Sequence, residues 1–237
     1  MTSNPRLLFP REQPALAHPA IDLVLLTVSD GGLQVVVRER ERPPFEGRWT
    51  LPGRLIEEPA AFELAMHEVL YEEIGDLDAA LRPFFTFSDP ARDPRGWVIS
   101  TAFVALVRPA WLARVTEAGL GPVLADVTMD EARKEARVMT GGVALPLAFD
   151  HGAIIDAAVR HLRGVIDGTM IAFDALDYAF TMLELQTVHE SVLGKPLSKP
   201  LFRKRMLART FPDGRSLQTT GDEHRGSGRP AAFYTLA

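Results

Sequence analysis

The chain has 237 residues, 46% of them apolar and 24% charged, which fits one large globular domain or an ordinary domain plus a small one. It contains no cysteine, which excludes disulfides, a thiolate zinc site and a cysteine nucleophile. Its net charge of −5 is unevenly spread: from Lys195 onward nine Lys or Arg stand against three Asp or Glu, a net of +6, leaving −11 for the rest.

Val- and Leu-rich stretches from Asp22 to Val28 and from Leu33 to Arg38 predict two strands, joined by the turn Ser29-Asp30-Gly31-Gly32. A loop ending in Trp49-Thr50-Leu51-Pro52-Gly53 leads to a helix over Ala60 to Ile74. Phe62, Ala65, Val69 and Leu70 fall near its 3.6-residue spacing, and Gly75 stops it. Val98 to Val107 reads as a strand and Pro109 to Ala118 as a short helix ended by Gly119-Leu120-Gly121-Pro122. Arg133 to Val143 holds a further strand. Such a mixture predicts an α+β sandwich for about the first 145 residues. His151 to Arg163 is helical, with Ile154, Ile155, Ala158, Val159 and Leu162 on one side, and reads as a bridge. The resulting division is 1–150, a helical bridge over 151–170, and a small domain over 171–237.

In that last part, Phe180 to Gly194 has the features of a first helix. Thr181 and Glu184 form a capping box, Leu185, Val188, Val192 and Leu193 an apolar stripe, and Gly194 a stop. Ser198 stands at the cap of a second helix, Lys199 to about Ala208, with Pro200 in its first turn. Phe202, Met206 and Leu207 are expected inward, and Lys199, Arg203, Lys204 and Arg205 outward. Two short helices, the second basic, form a helix-turn-helix pattern. Arg215 to Thr219 and Ala231 to Leu236 have strand composition around a glycine-rich turn, giving a wing whose Arg225 and Arg229 would reach DNA phosphates or a minor groove. The alternative is a basic hairpin that only packs on the first domain.

Arg38, Arg40 and Arg42 alternate along a strand and its exit loop, so they share one face and suit phosphate oxygens. Phe45 and Trp49 are candidates to stack on a base, or else core aromatics. Arg92 and Arg95, between two Asp-Pro turn signals, are candidate ligand contacts or surface charges.

Leu51-Pro52-Gly53, followed by a helix ending Tyr71-Glu72-Glu73-Ile74-Gly75, resembles the Nudix box, Gly-x5-Glu-x7-Arg-Glu-apolar-x-Glu-Glu-x-Gly-apolar. The box places glutamates on one helix face to hold Mg²⁺ against a diphosphate. Anchoring on Glu72-Glu73-x-Gly75 puts the first glycine at Arg54, the first glutamate at Ala60 and the Arg-Glu pair at Glu68-Val69. Anchoring on Gly53 puts Pro59, His67 and Tyr71 at required positions. Either register loses the arginine and at least one metal carboxylate. Glu68, Glu72 and Glu73 are then a residual metal site for Mg²⁺ or a solvated acidic face, and no cofactor is required.

Phe180 to Gly194, Phe202-Arg203-Lys204, Gly228-Arg229-Pro230-Ala231, Asp93-Pro94-Arg95 before Val98-Ile99-Ser100, and Leu147-Ala148-Phe149-Asp150-His151 together resemble the NrtR family of Nudix-related regulators of NAD metabolism. The resemblance implies an α/β/α Nudix sandwich followed by a winged helix-turn-helix, a homodimer, an operator in double-stranded DNA, and an ADP-ribose or sugar-phosphate effector. It also implies repression of NAD-biosynthesis genes. Arg54 departs from the family's Leu-Pro-Gly-Gly turn and narrows the pocket. The rival reading is an active hydrolase of ADP-ribose-like nucleoside diphosphates. No apolar run reaches the roughly 20 residues of a membrane helix, and the start has no secretory core, so a cytoplasmic protein is expected.

Overall fold

The computed structural model of the chain describes residues 16–29, 31–57, 60–75, 79–112, 121–224 and 231–237. β1 (His18–Ser29) and β2 (Gly32–Glu39) form the expected antiparallel hairpin, with Leu26 opposite Val35. Asp30 of its turn lies outside the described residues. Short β3 (Trp49–Thr50) and β4 (Gly53–Leu55) follow, then helix α1 (Phe62–Glu73), which Gly75 ends in a left-handed conformation at φ 100°. β5 (Arg82–Phe87) precedes β6 (Val98–Leu106), which runs parallel to β1. β7 (Pro122–Asp130), β8 (Glu135–Thr140) and β9 (Val143–Ala144) complete one sheet in the order β5-β6-β1-β2-β7-β8-β9, with β3 on β2 and β4 on β1.

Helices cover both faces of this sheet. Ile21, Leu23 and Leu25 of β1 pack with Ala65, Met66, Val69 and Leu70 of α1. The alternate residues Val24, Leu26 and Val28 pack on the other face with Ile154, Ile155, Ala158, Val159 and Leu162 of α2 (His151–Val165). A strand buried on both sides has no polar face, so β1 is apolar from Ile21 to Val28 except for Asp22 and Thr27, both buried and hydrogen-bonded. This is the expected α/β/α sandwich, and α2 is its second outer layer.

Several local expectations need correction. β5 and β7 were not anticipated: β5 carries Pro83 beside a register shift on the sheet edge, where a missing N–H is tolerated. β7, Pro-Val-Leu-Ala-Asp-Val-Thr-Met-Asp, sends Val123, Ala125, Val127 and Met129 to the large core and Asp126, Thr128 and Asp130 to its other face, so its alternation is present in its own residues. The single strand expected over Arg133 to Val143 is two, because Gly141 and Gly142 both take positive φ and reverse the chain. Of the helix expected over Pro109 to Ala118, residues 109–112 are helical and the rest lies outside the described residues.

The C-terminal part is a winged helix-turn-helix. α3 (Met182–Leu193) begins on a reciprocal box: Glu184 N–H donates to Thr181 Oγ1 at 3.2 Å and Thr181 N–H to Glu184 Oε2 at 2.6 Å. Gly194 ends it at φ 69°. α4 (Lys199–Leu207) buries Phe202 and Met206 but turns Leu207 outward, and the Ser198 side chain makes no capping bond. β10 (Phe180–Thr181), β11 (Leu217–His224) and β12 (Ala231–Leu236) form the sheet, in the order β10-β12-β11. The wing tip, with Arg225 and Arg229, lies outside the described residues.

No gap separates the two parts. Phe180, Leu185, Val188, Val192, Phe202, Met206 and Tyr234 belong to the same apolar cluster as α2 and the even face of β1. Two polar ties cross the same junction: Arg163 Nε donates to Val192 O, and Ser191 Oγ to Gly31 O, both at 3.0 Å. We predict that Leu162→Ala, at a fully buried site in this cluster, lowers stability by about 2–5 kcal/mol. Because the core is shared, calorimetry should show one transition moved as a whole. Two separable transitions, only one of them shifted, would contradict the continuous core.

Candidate functional site

The site forms where the sheet forks. β1 pairs with β2 from Leu26 to Ser29; earlier in β1, Ala20 to Asp22 pair with β4 instead, while Arg38 and Glu39 of β2 pair with β3. The Leu51-Pro52 turn closes the fork, and Leu23 N–H donates to Pro52 O at 2.8 Å. Gly53 must be glycine here: an added Cβ would lie 2.4 Å from Ile21 O. Leu51 N–H donates to His151 Nδ1 at 2.9 Å, which makes Nδ1 an acceptor and leaves the ring proton on Nε2. Nε2 faces Asp22 Oδ1 at 3.5 Å. Burial lowers the His151 pKa against the pull of Asp22, in keeping with a neutral ring.

Asp22 is itself buried and collects partners from three elements. Ser100 Oγ of β6 donates to its Oδ2 at 2.6 Å, and Arg92 reaches the same oxygen at 3.3 Å. Arg92 also forks onto Asp150, just ahead of α2, at 2.7 and 2.8 Å. The Arg92 side chain is only 5% exposed, so it clamps two carboxylates inside the site. Ser100, Asp150 and His151 lie inside the strings that carry the family resemblance, without a role being assigned to them there; Asp22, a lone carboxylate in an apolar strand, has no local signal.

Beside this clamp lies a cationic and aromatic wall. Arg40 lies over the Phe149 ring at 4.8 Å and donates through Nε to Pro44 O at 2.8 Å. Arg95 is held by Asp93 at 2.7 Å, stays half exposed, and lies 5.6 Å from the same ring. Phe45 meets Phe149 edge-on at 4.8 Å. Burial, and then the charges of Arg95 and Arg38, lower the Arg40 pKa. Mutual repulsion of this kind is relieved by a bound anion. Trp49 instead packs against the large core.

Arg38 and Arg40, but not Arg42, line one cavity of about 610 Å³, with Glu72, Glu73 and Gly121 also on its walls. That volume lies within the range of small-molecule sites. On α1 the three box glutamates part ways. Glu68 and Glu72 both accept from Arg54, the latter at 3.0 Å, while Glu73 lies 3.4 Å from Arg38. Burial raises the Glu73 pKa, and Arg38 opposes the shift.

The Nudix box implies a divalent ion, and these residues do not fit one. Each glutamate is already answered by an arginine. Among the described residues no group of three or more His, Asp or Glu is placed to hold a metal.

At the other end of the molecule, α4 presents Lys199, Arg203 and Lys204 to solvent. Arg203 also lies 5.6 Å from the Tyr234 ring of β12. Arg205 turns back to Asp167 at 2.9 and 3.3 Å. Asp167 Oδ1 also lies 3.2 Å from Nδ1 of buried His189 on α3. Asp167 thus fastens both helices of the helix-turn-helix to the end of α2.

Comparison with known proteins agrees with both halves. Residues 172–236 match the NrtR DNA-binding winged helix domain. The chain is similar to the ADPR responsive transcriptional repressor NtrR of Acinetobacter baylyi, at 27% identity over 220 residues, 92% of this chain and 81% of that one. It is also similar to the ADP-ribose pyrophosphatase of Methanocaldococcus jannaschii, 28% identical over 147 residues, which are 62% of this chain and 77% of that enzyme. Among solved structures, Shewanella oneidensis NrtR complexed with a 27mer DNA superposes with a TM-score of 0.75 at 29% identity, covering 92% of this chain and 93% of that one.

The buried polar groups make two expectations measurable. Arg92→Ala would leave Asp22 and Asp150 without their clamp and should cost about 3–5 kcal/mol in denaturant unfolding. Removing Arg38 from its pair with Glu73 by Arg38→Ala should cost less, about 1 kcal/mol, because the arginine is 40% exposed although Glu73 is largely covered. The second concerns acid. Burial lowers the His189 pKa to about 4, below the ordinary value of about 6.5, so the unfolded chain takes up that proton first. Stability should therefore fall as pH drops from about 6.5 toward 4, by roughly 1.4 kcal/mol per unit at most from this group. His151 acts in the same direction. A His189→Asn protein with an equally steep acid limb would refute the assignment.

Proposed function

We infer from its NrtR-like architecture, a Nudix-type domain joined to an NrtR winged helix, that this chain is a ligand-responsive transcriptional repressor. The winged helices of a homodimer bind double-stranded operator DNA through Ser198, Lys199, Arg203 and Lys204, with the wing alongside. The effector is ADP-ribose or a chemically related sugar phosphate. It docks about Arg40, which lines a cavity with Arg38 on one side and lies with Arg95 against Phe149, beside Phe45, on the other. The regulated genes belong to NAD metabolism, and the protein works in the cytoplasm; no described helix is long and apolar enough to cross a membrane.

One observation carries this reading. α2 takes part in both halves: Asp150 and His151 at its start belong to the cationic site, and Arg163 near its end holds the last turn of α3. A domain that only hydrolysed nucleotides would have no use for that connection. Its broken box points the same way, so turnover of ADP-ribose with Mg²⁺ is expected to be undetectable beside a working pyrophosphatase. Robust turnover lost in Glu72→Gln would favour the hydrolase instead.

The regulatory claim is tested by titrating operator DNA with and without ADP-ribose. The effector should change operator affinity at least roughly fivefold, about 1 kcal/mol of coupling. Arg40→Ala should leave DNA affinity intact but require more effector. Arg203→Ala and Lys204→Ala should weaken DNA binding and lower the log-log salt slope by about 0.9 for each phosphate that is no longer neutralised. Unchanged DNA affinity in both variants would remove α4 from the interface.

A further inference from the structure

We infer that the guanidinium of Arg54 stands in for a divalent cation, so that this domain receives its diphosphate-bearing effector without metal. The position of Arg54 follows from the fork. β4 is antiparallel to β1 with Arg54 directly opposite Ile21, and directly opposed residues share a face of the sheet. Ile21 packs in the α1 cluster, so Arg54 is aimed at α1. Glu68 and Glu72, four residues apart, lie on one face of that helix. The planar fork reaches both at once, one nitrogen to each carboxylate.

Two carboxylates converging on one cation is the arrangement that a Mg²⁺ ion would otherwise require. Here the cation is covalently attached and monovalent, and a second cation brought to the same oxygens would meet its charge. Glu73 is removed from any shared ligand set by Arg38. Two arginines thus neutralise most of the charge of the three glutamates. Arg40 and Arg95 are left as the field an anion meets. Arg54 is only part covered and lines the pocket shared by Arg40, Arg92 and Arg95. Arg54, at the turn ahead of an already broken box, therefore also adds a cation to a metal-free anion site.

The metal half of this proposal stands on the ion pairs alone; the effector half rests on the function proposed above. Mn²⁺ titration followed by electron paramagnetic resonance needs no effector and separates them. The unmodified protein should take up no Mn²⁺ where Arg54→Gly does, a gain in apparent affinity of at least about tenfold, and Glu72→Gln in the Arg54→Gly background should abolish it. Should the glycine variant fail to fold, Arg54→Gln removes the charge while keeping the stem and is read the same way. Mn²⁺ uptake by the unmodified protein that Glu72→Gln removes, or an Arg54 variant indistinguishable from it, overturns the proposal. In calorimetry, ADP-ribose should bind the unmodified protein equally in EDTA and in Mg²⁺, within about twofold. Tighter binding in Mg²⁺ by tenfold or more, on the order of 1.4 kcal/mol, would also overturn it. If ADP-ribose binds in neither buffer while the Mn²⁺ results hold, the choice of effector fails and the role of Arg54 stands.

Discussion

A buried carboxylate, Asp22, organises the site and much of what surrounds it. An unpaired charge at its depth would cost several kcal/mol, so its partners must be in place whenever the chain is folded. Those partners are Ser100 on β6, Arg92 on the loop ahead of it, and His151 on α2. Satisfying one side chain therefore fixes a strand, a loop and a helix relative to β1. The fork is fixed in the same stroke, because the imidazole that faces Asp22 accepts the Leu51 N–H of the turn that closes it. Gly53, pressed against Ile21 O, sets how closely β4 can approach.

Upon this frame the charges are sorted by depth and partner. Arg92 is committed to two carboxylates and nearly fully covered, Arg54 and Arg38 to the glutamates of α1. Among the described residues no carboxylate is bonded to Arg40 in this way; its ties are to backbone carbonyls and to the Phe149 ring. Repulsion from Arg95 and Arg38 acts on it without a full local counterweight. An anionic ligand with an aromatic or ribose portion satisfies both features, charge against Arg40 and Arg95, and a flat face against Phe149 and Phe45. These groups offer charge and a flat face to a ligand, while the helix carboxylates nearby are answered by Arg54 and Arg38, which suits binding better than metal-assisted hydrolysis.

The large features were legible in the sequence because they depend on local chemistry. The capping box at Thr181 and Glu184, the stop at Gly194, the buried stripe of α2 and the β1–β2 hairpin all lie within a few residues of the signals that define them. What escaped depends on distant parts of the chain. β5 is a strand because of the neighbour it pairs with, and its own residues, Arg-Pro-Phe-Phe-Thr-Phe, alternate poorly. Arg92 and Arg54 were visible as charges, but their partners lie 58 and 18 residues away. Ser198 occupies a cap position by backbone geometry alone, a distinction that composition does not encode. Leu207 follows helical spacing yet points outward, since the last turn of so short a helix has nothing to pack against on that side.

The two halves are connected through α2. Its 15 residues make a rod of about 22 Å, one face of which is buried in the sheet core along nearly its whole length. Such a packed element moves as a body, because a close-packed interior does not deform by small continuous amounts. At its start, Asp150 and His151 meet Arg92, Asp22 and the Leu51 turn; toward its end, Arg163 grips Val192 O while Arg160 and Arg163 share Glu131. Just past it, Asp167 holds His189 and Arg205. In the proposed mechanism, an effector lodged against Phe149 favours one placement of Asp150 and His151, and so one placement of α3 and α4. Affinity for DNA then shifts only by as much as the effector distinguishes the two placements. The selectivity of the cationic site and the strength of the response are therefore one quantity, set by how Arg40, Arg95 and Phe149 are arranged in each placement of α2.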